Sequence, residues 1–454
     1  MSVLAKLWSL TAVEALNFIK EDLLTVEDYA DALLSRVESR DSVVRAWQYL
    51  DPVHIMSQAR ALDRVPRDQR GQLHGVAIGI KDIMDTRDIP TEYGSSLYQG
   101  HRPNTDAAVV EILRRAGALI FGKTTTTEFT MLNSGPDTTN PHDPNRTPGG
   151  SSAGSAAAVA DFQVPLSLGT QTGGSVIRPA SYTGTYAMKP TFNVISGGGI
   201  KTACLEFDTI GYFARSLEDL QLITDVLSLA AKETIKETIK EVALKDAKVG
   251  FVRSPFWHCA RPGTIAAMDK AAEILRDQGV TVEHVEFPDG FNNADTLDKM
   301  FEAVWVTDGR TALYKDYLMD VTETKLDPDV REFVGNASKI PHEKVRKAFD
   351  YYAALRPVFD ELAMKYSALI TPSAADEAPL GLDDMGSPIF NSLWTAAHMP
   401  VIHLPAFVGP NSMPVGLSLV ARRYDDQHLL SIAKILSGPL MSKGGWQDKL
   451  EKTQ

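Results

Sequence analysis

Residues 147–179 read TPGGSSAGSAAAVADFQVPLSLGTQTGGSVIRP. Two glycine pairs in it each run straight into a serine, Gly149-Gly150-Ser151 and Gly173-Gly174-Ser175. Glycine tolerates backbone angles closed to other residues and lets N–H groups come close to a ligand. A serine just after such a turn presents its hydroxyl with backbone donors beside it. Between the pairs, Ala153 to Ala160 is small and helix-forming. The stretch therefore reads as loop, short buried helix, strand and second glycine loop, with the two serines meeting across one site.

Working outward, Val76 to Ile80 is a short apolar strand that ends at Lys81. Thr105 to Ala116 reads as a helix with a threonine cap and Gly117 as its stop, and Ala118 to Phe121 as the next strand. Strand, helix and strand at this spacing imply βαβ units and a sheet covered on both faces. Residues 25–38 form the clearest helix: Thr25 caps it, Asp28 holds the capping-box position, and Val26, Tyr29, Ala30, Leu33, Leu34 and Val37 make one apolar stripe. Residues 134–150 are rich in Pro, Asn, Asp, Ser and Gly, and a loop of that length inside a domain usually carries function.

Downstream, Ser216 caps a helix running to about Leu229. KETIKETIKEVALKD (232–246) is charged and repetitive, an exposed helical spacer. KVGFVRS (248–254), a helix near 264–278 and VTVEHVEF (280–287) suggest a further β-α-β unit. Residues 294–365 are mainly helical, and the spacing of Trp305, Tyr314, Tyr317, Phe349, Tyr351 and Tyr352 favours core positions. Residues 367–372 and 400–420 return to strand-like runs.

The composition is that of an ordinary globular chain, 44% hydrophobic and 23% charged over 454 residues, enough for a large core. A net charge of −12, with no basic run interleaved with aromatics, argues against a nucleic-acid surface. Cys204 and Cys259 are too few for a disulfide framework or a Cys-rich zinc site. No apolar run reaches ~18 residues, so no membrane span is expected. Lys6 and Glu14 break the apolar stretch a signal peptide needs, which leaves a reducing, cytoplasmic compartment as the expectation.

Hydrolysing an amide near neutral pH takes a nucleophile, a base and donors for the oxyanion. Ser175 suits the first role, and the N–H groups of Thr172, Gly173, Gly174 and Ser175 suit the last, since a Cβ on the glycines would obstruct the carbonyl. Alone, a Gly-Gly-Ser turn carries no chemistry. No Ser-His-Asp arrangement is evident among the ten histidines, none is in HExxH spacing, and His398 and His403 beside Pro400 suit packed or solvent-facing roles. The base must be another group.

The stretch resembles the signature of the amidase signature family of serine hydrolases. The likeness extends to GVAIGIKDIMDT around Lys81, NPHDPNRTPGGSS, LEFDTIG from Leu205, and MPVIHLPAF and MPVGLSLVARRYDD near the C-terminus. It covers roughly residues 20–230 and 365–440. The expected fold is α/β, a large mixed, mostly parallel sheet core covered by helices on both faces. It forms a single domain over 1–454: an N-terminal helical segment (1–70), the catalytic signature core (71–230), the charged spacer (231–247) and a helical segment over the pocket (294–365).

The resemblance assigns the base to Lys81, relayed through Ser151 to Ser175, with the Gly150–Ser151 peptide cis and with Ser152 and Thr170 as supporting partners. A lysine with the usual pKa of about 10.4 is protonated, and serves as a base only where burial lowers that value. The VAIGI strand supplies an apolar wall, and Ser–Lys pairs are a known alternative to the histidine triad. One departure is informative. The commonest family pattern reads D-T-G-G-S-x-R-x-P, whereas here Gln171 replaces the Asp and Arg178 falls three residues past Ser175. This variant resembles malonamidase-type members, where the arginine reads a substrate carboxylate; its planar fork suits that group. Arg178, Gly150 and Gln171 are accordingly the expected substrate contacts.

The implied activity is cleavage of a small-molecule amide, carbamate or ester through an acyl-enzyme on Ser175. No metal, organic cofactor, nucleic acid or membrane is required; the family often forms homodimers. Two other readings stay open. The chain as the glutaminase component of an aminoacyl-tRNA amidotransferase is disfavoured by the QTGGSVIRP variant and the short C-terminus. A silent binding protein on the same fold is disfavoured by intact Lys81, Ser151 and Ser175. An α/β-hydrolase elbow at Gly150–Gly154, with Ser152 as nucleophile, needs a preceding strand, which NPHDPNRTPG cannot form.

Overall fold

In the computed structural model, which describes residues 3–131, 135–227, 242–336 and 340–447, eleven strands form one sheet. They are β1 (Trp47–Tyr49), β2 (Ala77–Lys81), β3 (Leu119–Thr124), β4 (Leu166–Gln171), β5 (Tyr186–Lys189), β6 (Thr209–Ala214), β7 (Lys248–Phe251), β8 (Thr281–His284), β9 (Ala368–Pro372), β10 (Val401–Val408) and β11 (Pro414–Val420). Their order across the sheet is β1-β3-β2-β4-β6-β5-β10-β11-β9-β7-β8.

The sheet is mixed, as expected, but it is not mostly parallel. Parallel pairing is confined to β2 with β3 and β4, and to β7 with β8 and β9. The other pairings, which include the whole centre of the sheet, are antiparallel. The reason is visible at β10 and β11. They are joined by a tight turn in which Gly409 N donates to Met413 O at 2.8 Å, and a connection that short cannot cross over to make a parallel pair.

Side chains alternate across a strand, so the sheet feeds two cores. Ile78 and Ile80 enter one, with Val109, Leu113, Ile223, Leu275 and Leu436 from the helices Ala108–Arg115, Leu217–Leu227, Pro262–Asp277 and Asp426–Gly444. Ala77, Leu119 and Phe121 enter the other, with Tyr29, Leu33, Ala157, Phe359 and Trp394 from Val26–Val44, Ala153–Ala160, His342–Ala363 and Ser392–Ala396. Helices thus cover both faces.

Thr25 caps the Val26–Val44 helix by accepting from Asp28 N at 2.9 Å, and the helix runs past the expected end until Arg45 turns left-handed. The expected threonine cap at residue 105 is absent. That helix is Ala108–Arg115, and its entry is held by Ala107 N donating to Asp85 O at 2.8 Å. Gly117 ends it with φ +85. Ser216 Oγ accepts from Asp219 N at 3.0 Å, capping Leu217–Leu227. Most of the 232–246 spacer lies outside the described residues; Leu244–Asp246 is a single 3₁₀ turn. The middle segment comprises the helices Ala294–Met319, Pro328–Asn336 and His342–Ala363.

Candidate active site

The carboxyl ends of β2 and β4 lie side by side because the strands are parallel, with Ile80 opposite Leu168. Open α/β sheets place ligands at such ends. This register sets Lys81, the last residue of β2, beside Thr170 near the end of β4. Lys81 Nζ lies 2.8 Å from Ser151 Oγ and 2.9 Å from Thr170 Oγ1. The lysine and Ser151 are both fully buried.

Small residues bring Ser151 there. The Ala153–Ala160 helix lies so close to the neighbouring backbone that a Cβ on Gly154 would stand 2.2 Å from Ala46 O and 2.4 Å from Thr125 N. Ser155 Oγ donates to Leu168 O at 2.8 Å and pairs with Thr124 Oγ1 at 2.7 Å, which pins the helix start over β3 and β4. Ser152 Oγ donates to Thr170 O at 3.2 Å and accepts from Thr170 N at 3.3 Å. The peptide between Gly150 and Ser151 is cis, as the resemblance implied.

Ser175 lies on the wall of a cavity of about 190 Å³, with Thr172, Gly173, Gly174 and Arg178. Phe301, Trp305 and Met385 supply apolar walls from distant parts of the chain. Among the described residues, no backbone carbonyl accepts from the N–H groups of Gly173, Gly174 or Ser175. Neither glycine takes a positive φ; only Gly149 of the two pairs does, at +82. What crowds a side chain at Gly173 and Gly174 is packing. A Cβ would stand 3.1 Å from Pro388 Cβ at the first and 3.0 Å from Asn391 Nδ2 at the second.

Desolvation holds Lys81 well below the usual lysine pKa; the Asp208 charge works against the shift and Arg178 adds to it. Asp208 makes no ion pair with Lys81: it accepts from Thr172 Oγ1, from Ala203 N at 2.7 Å and from Cys204 N at 3.0 Å. Burial raises its own pKa. Burial thus shifts Lys81, beside two hydroxyls, toward its uncharged form.

Arg178 is buried and, among the described residues, has no carboxylate partner. A structural ion pair would have been the alternative to a ligand-reading role. Its Nη2 donates to Gly150 O at 2.6 Å, its Nη1 donates to Gly386 O, and its Nε has no partner. Burial lowers its pKa to about 10, so it stays a cation at neutral pH.

Of the expected site residues, Lys81, Ser151, Ser152 and Thr170 share one hydrogen-bonded cluster, and Thr172, Gly173, Gly174, Ser175 and Arg178 line the cavity. Gln171 and Gly150 are not on its wall. Gln171, expected to touch substrate, is spent inside the protein: its Oε1 accepts from Val176 N at 2.9 Å and Ile177 N at 3.0 Å. Gly150 instead offers its carbonyl to Arg178. Ser152 follows turns and bends, not a strand, so the elbow geometry is absent. His398 and His403 are packed, bonding to Glu206 O and Ser373 Oγ, and burial lowers both to about 3. Phe301, Met385, Pro388 and Asn391 escape sequence reasoning, for no local motif marks them. Trp305, expected in the core, packs against it and also lines the cavity.

Among the described residues no helix is long and apolar enough to cross a membrane, and no His/Cys/Asp/Glu group is arranged to hold a metal. A family model described as Amidase matches residues 28–430. One component of the glutamyl-tRNA(Gln) amidotransferase of Chloroflexus aggregans is 31% identical over 94% of this chain and 96% of its own. A crystal structure of an amidase superposes with TM-score 0.82 at 25% identity, covering 97% of this chain and 100% of that one. Fatty acid amide hydrolase shares the fold, with TM-score 0.85 at 20% identity, over 97% of this chain and 87% of that one.

Proposed function

This chain belongs to the amidase signature family, hydrolases of carbon–nitrogen amide bonds, and from that premise we propose that it cleaves a small-molecule amide through an acyl-enzyme on Ser175. The neutral Lys81 amine takes the Ser151 proton as Ser151 takes that of Ser175. The Ser175 oxygen then bonds to the amide carbon. Negative charge develops on the carbonyl oxygen and is met by N–H groups of the Thr172–Ser175 loop. Ser151 returns the proton to the leaving nitrogen, the C–N bond breaks, and ammonia or an amine departs. Water then follows the same path and frees the acid. Carbamates and esters form the same kind of intermediate.

The observation that carries this reading is the buried Lys81 amine, with Ser151 and Thr170 hydroxyls at hydrogen-bond distance and no carboxylate paired to it. Donating one N–H to Thr170 leaves its lone pair for the Ser151 proton. Ser151→Ala removes the relay but leaves Ser175 and the oxyanion donors in place. It is expected to lower kcat by roughly 10²–10⁴-fold, the usual worth of positioned acid–base catalysis. Steady-state hydrolysis of a short-chain amide checks this, and wild-type turnover in the variant would exclude the relay.

Arg178 supports an acyl part that carries a carboxylate. Arg178 lines the Ser175 cavity, and its desolvated guanidinium, with no partner at Nε, suits an anion better than an apolar chain. A short monoamide acid is therefore expected to turn over faster than its neutral diamide, and Arg178→Ala to lower that preference by about 10²-fold. The ratio of the two rates is the readout, since the arginine also holds Gly150 and its loss disturbs both substrates alike. Equal rates, unchanged by Arg178→Ala, would remove the carboxylate role.

The amidotransferase name of the Chloroflexus relative favours a second reading, a glutaminase that passes ammonia to a partner protein. The purified chain alone separates the two. Hydrolysis of small amides without tRNA or a second protein supports the stand-alone enzyme, and glutamine hydrolysis only with them supports the glutaminase.

A further inference from the structure

Gln171 and Thr395 brace the nucleophile loop from the side away from the cavity. Both are fully buried, and neither is on the cavity wall. Two backbone N–H groups, of Val176 and Ile177, point at one end of the Gln171 amide, so that end is the oxygen. The other end is then the donor, and it reaches Thr395 Oγ1 at 3.0 Å. A threonine hydroxyl has a single hydrogen. With the Gln171 N–H on its oxygen, Thr395 gives that hydrogen to a carbonyl: Gly173 O at 3.0 Å, with Asn391 O at 3.2 Å as the competing acceptor. The Ser392–Ala396 helix that carries Thr395 is itself tied to the sheet by Asn391 Nδ2 donating to Ser373 O at 2.9 Å.

The carbonyl of Gly173 is thereby held toward Thr395. In a trans peptide the C=O and the next N–H point in opposite directions. Gly150–Ser151 is the one cis bond among the described residues, so the Gly173–Gly174 peptide is trans. Fixing the Gly173 carbonyl on Thr395 turns the Gly174 N–H away from Thr395, and Gly174 itself lines the cavity. We propose that Gln171 and Thr395 are positioning residues, a hydrogen-bond relay of set polarity that aims the Gly174 N–H at the oxygen on which charge develops. The proposal rests on Ser175 being the nucleophile.

Polarity distinguishes this role from packing. Gln171→Glu keeps the shape and still accepts from Val176 and Ile177, but a carboxylate cannot donate. The Thr395 hydrogen then goes to the carboxylate and the Gly173 carbonyl is released. Thr395→Val keeps the shape and deletes the hydroxyl. The probe is an alkyl fluorophosphonate. Ser175 Oγ bonds to phosphorus, fluoride leaves with the P–F electron pair, the serine proton passes to Lys81, and the phosphoryl oxygen occupies the oxyanion position.

Each variant is expected to lower the maximal inactivation rate about tenfold, less than the roughly 10²–10³-fold that follows loss of a whole donor. The half-saturating probe concentration and Tm stay near wild type. The double variant is no slower than the slower single one, because one relay is broken only once. Thr395→Ser, which retains the hydroxyl, restores the rate. A wild-type rate in Thr395→Val, additive losses in the double variant, or a loss that tracks Tm and is not rescued by serine overturns the proposal. Labelling of Ser175→Ala at the wild-type rate overturns instead the reading on which it rests.

Discussion

Lys81→Ala is expected to lower kcat by about 10⁴–10⁶-fold, the range seen when one member of a nucleophile–base unit is lost. Lys81→Arg should do no better, because a guanidinium stays protonated at any working pH and has no lone pair to offer. In the wild type, activity should rise with pH as Lys81 loses its proton and then level off. Burial puts that step well below 10.5. The same shift has a consequence for stability. An unfolded chain binds the lysine proton up to about 10.5, and the folded chain only at a much lower pH. Between those two values unfolding takes up a proton, so the Lys81 contribution favours folding more as pH rises, and least once pH falls through the folded value. Buried Asp82 and Asp219, each raised to about 6, slope the opposite way near that pH. The measurement is therefore the difference between wild type and Lys81→Met, by chemical denaturation across pH. A flat difference would mean that the folded lysine keeps its proton, and the proposed base would be lost with it.

Ser175→Ala is the second large effect. Turnover of any amide or ester should fall by about 10⁴–10⁶-fold, with Tm held, and fluorophosphonate labelling should vanish. Ser175 is on the cavity wall and only 7% exposed, so loss of its hydroxyl leaves a small space and little else. Labelling that persists in Ser175→Ala and disappears in Ser152→Ala would move the nucleophile. The bonds that hold Ser152 Oγ to Thr170 on both its donor and acceptor sides argue against that outcome.

Much of the fold is legible in sequence because its signals are local. Thr25 with Asp28, Ser216 with Asp219, and Gly117 as a stop are signals spread over a few residues, and each acts where its pattern places it. The helix expected from residue 105 shows the limit. Its entry is set by Asp85, far back in the chain, and no neighbouring residue announces that. The reading of Gln171 fails for the same reason. Its partner Thr395 is 224 residues away, so an amide that looks free for a ligand in sequence is already spent in the fold.

Strand alternation, helix caps, two glycine–serine turns and a lysine at a strand end are written in short-range pattern, and they define an α/β chain that carries the residues to which the proposed mechanism assigns its nucleophile, base and relay. Tertiary packing alone decided three things: that the centre of the sheet is antiparallel, that Pro388, Asn391 and Thr395 close over Gly173 and Gly174, and that the Lys81 amine is stripped of water while Arg178 is left without a carboxylate. The physical reason is range. Propensity and capping act over a turn of chain, whereas desolvation and hydrogen-bond partnership depend on every segment that arrives at the site, as the 222-residue separation of Thr395 from Gly173 illustrates.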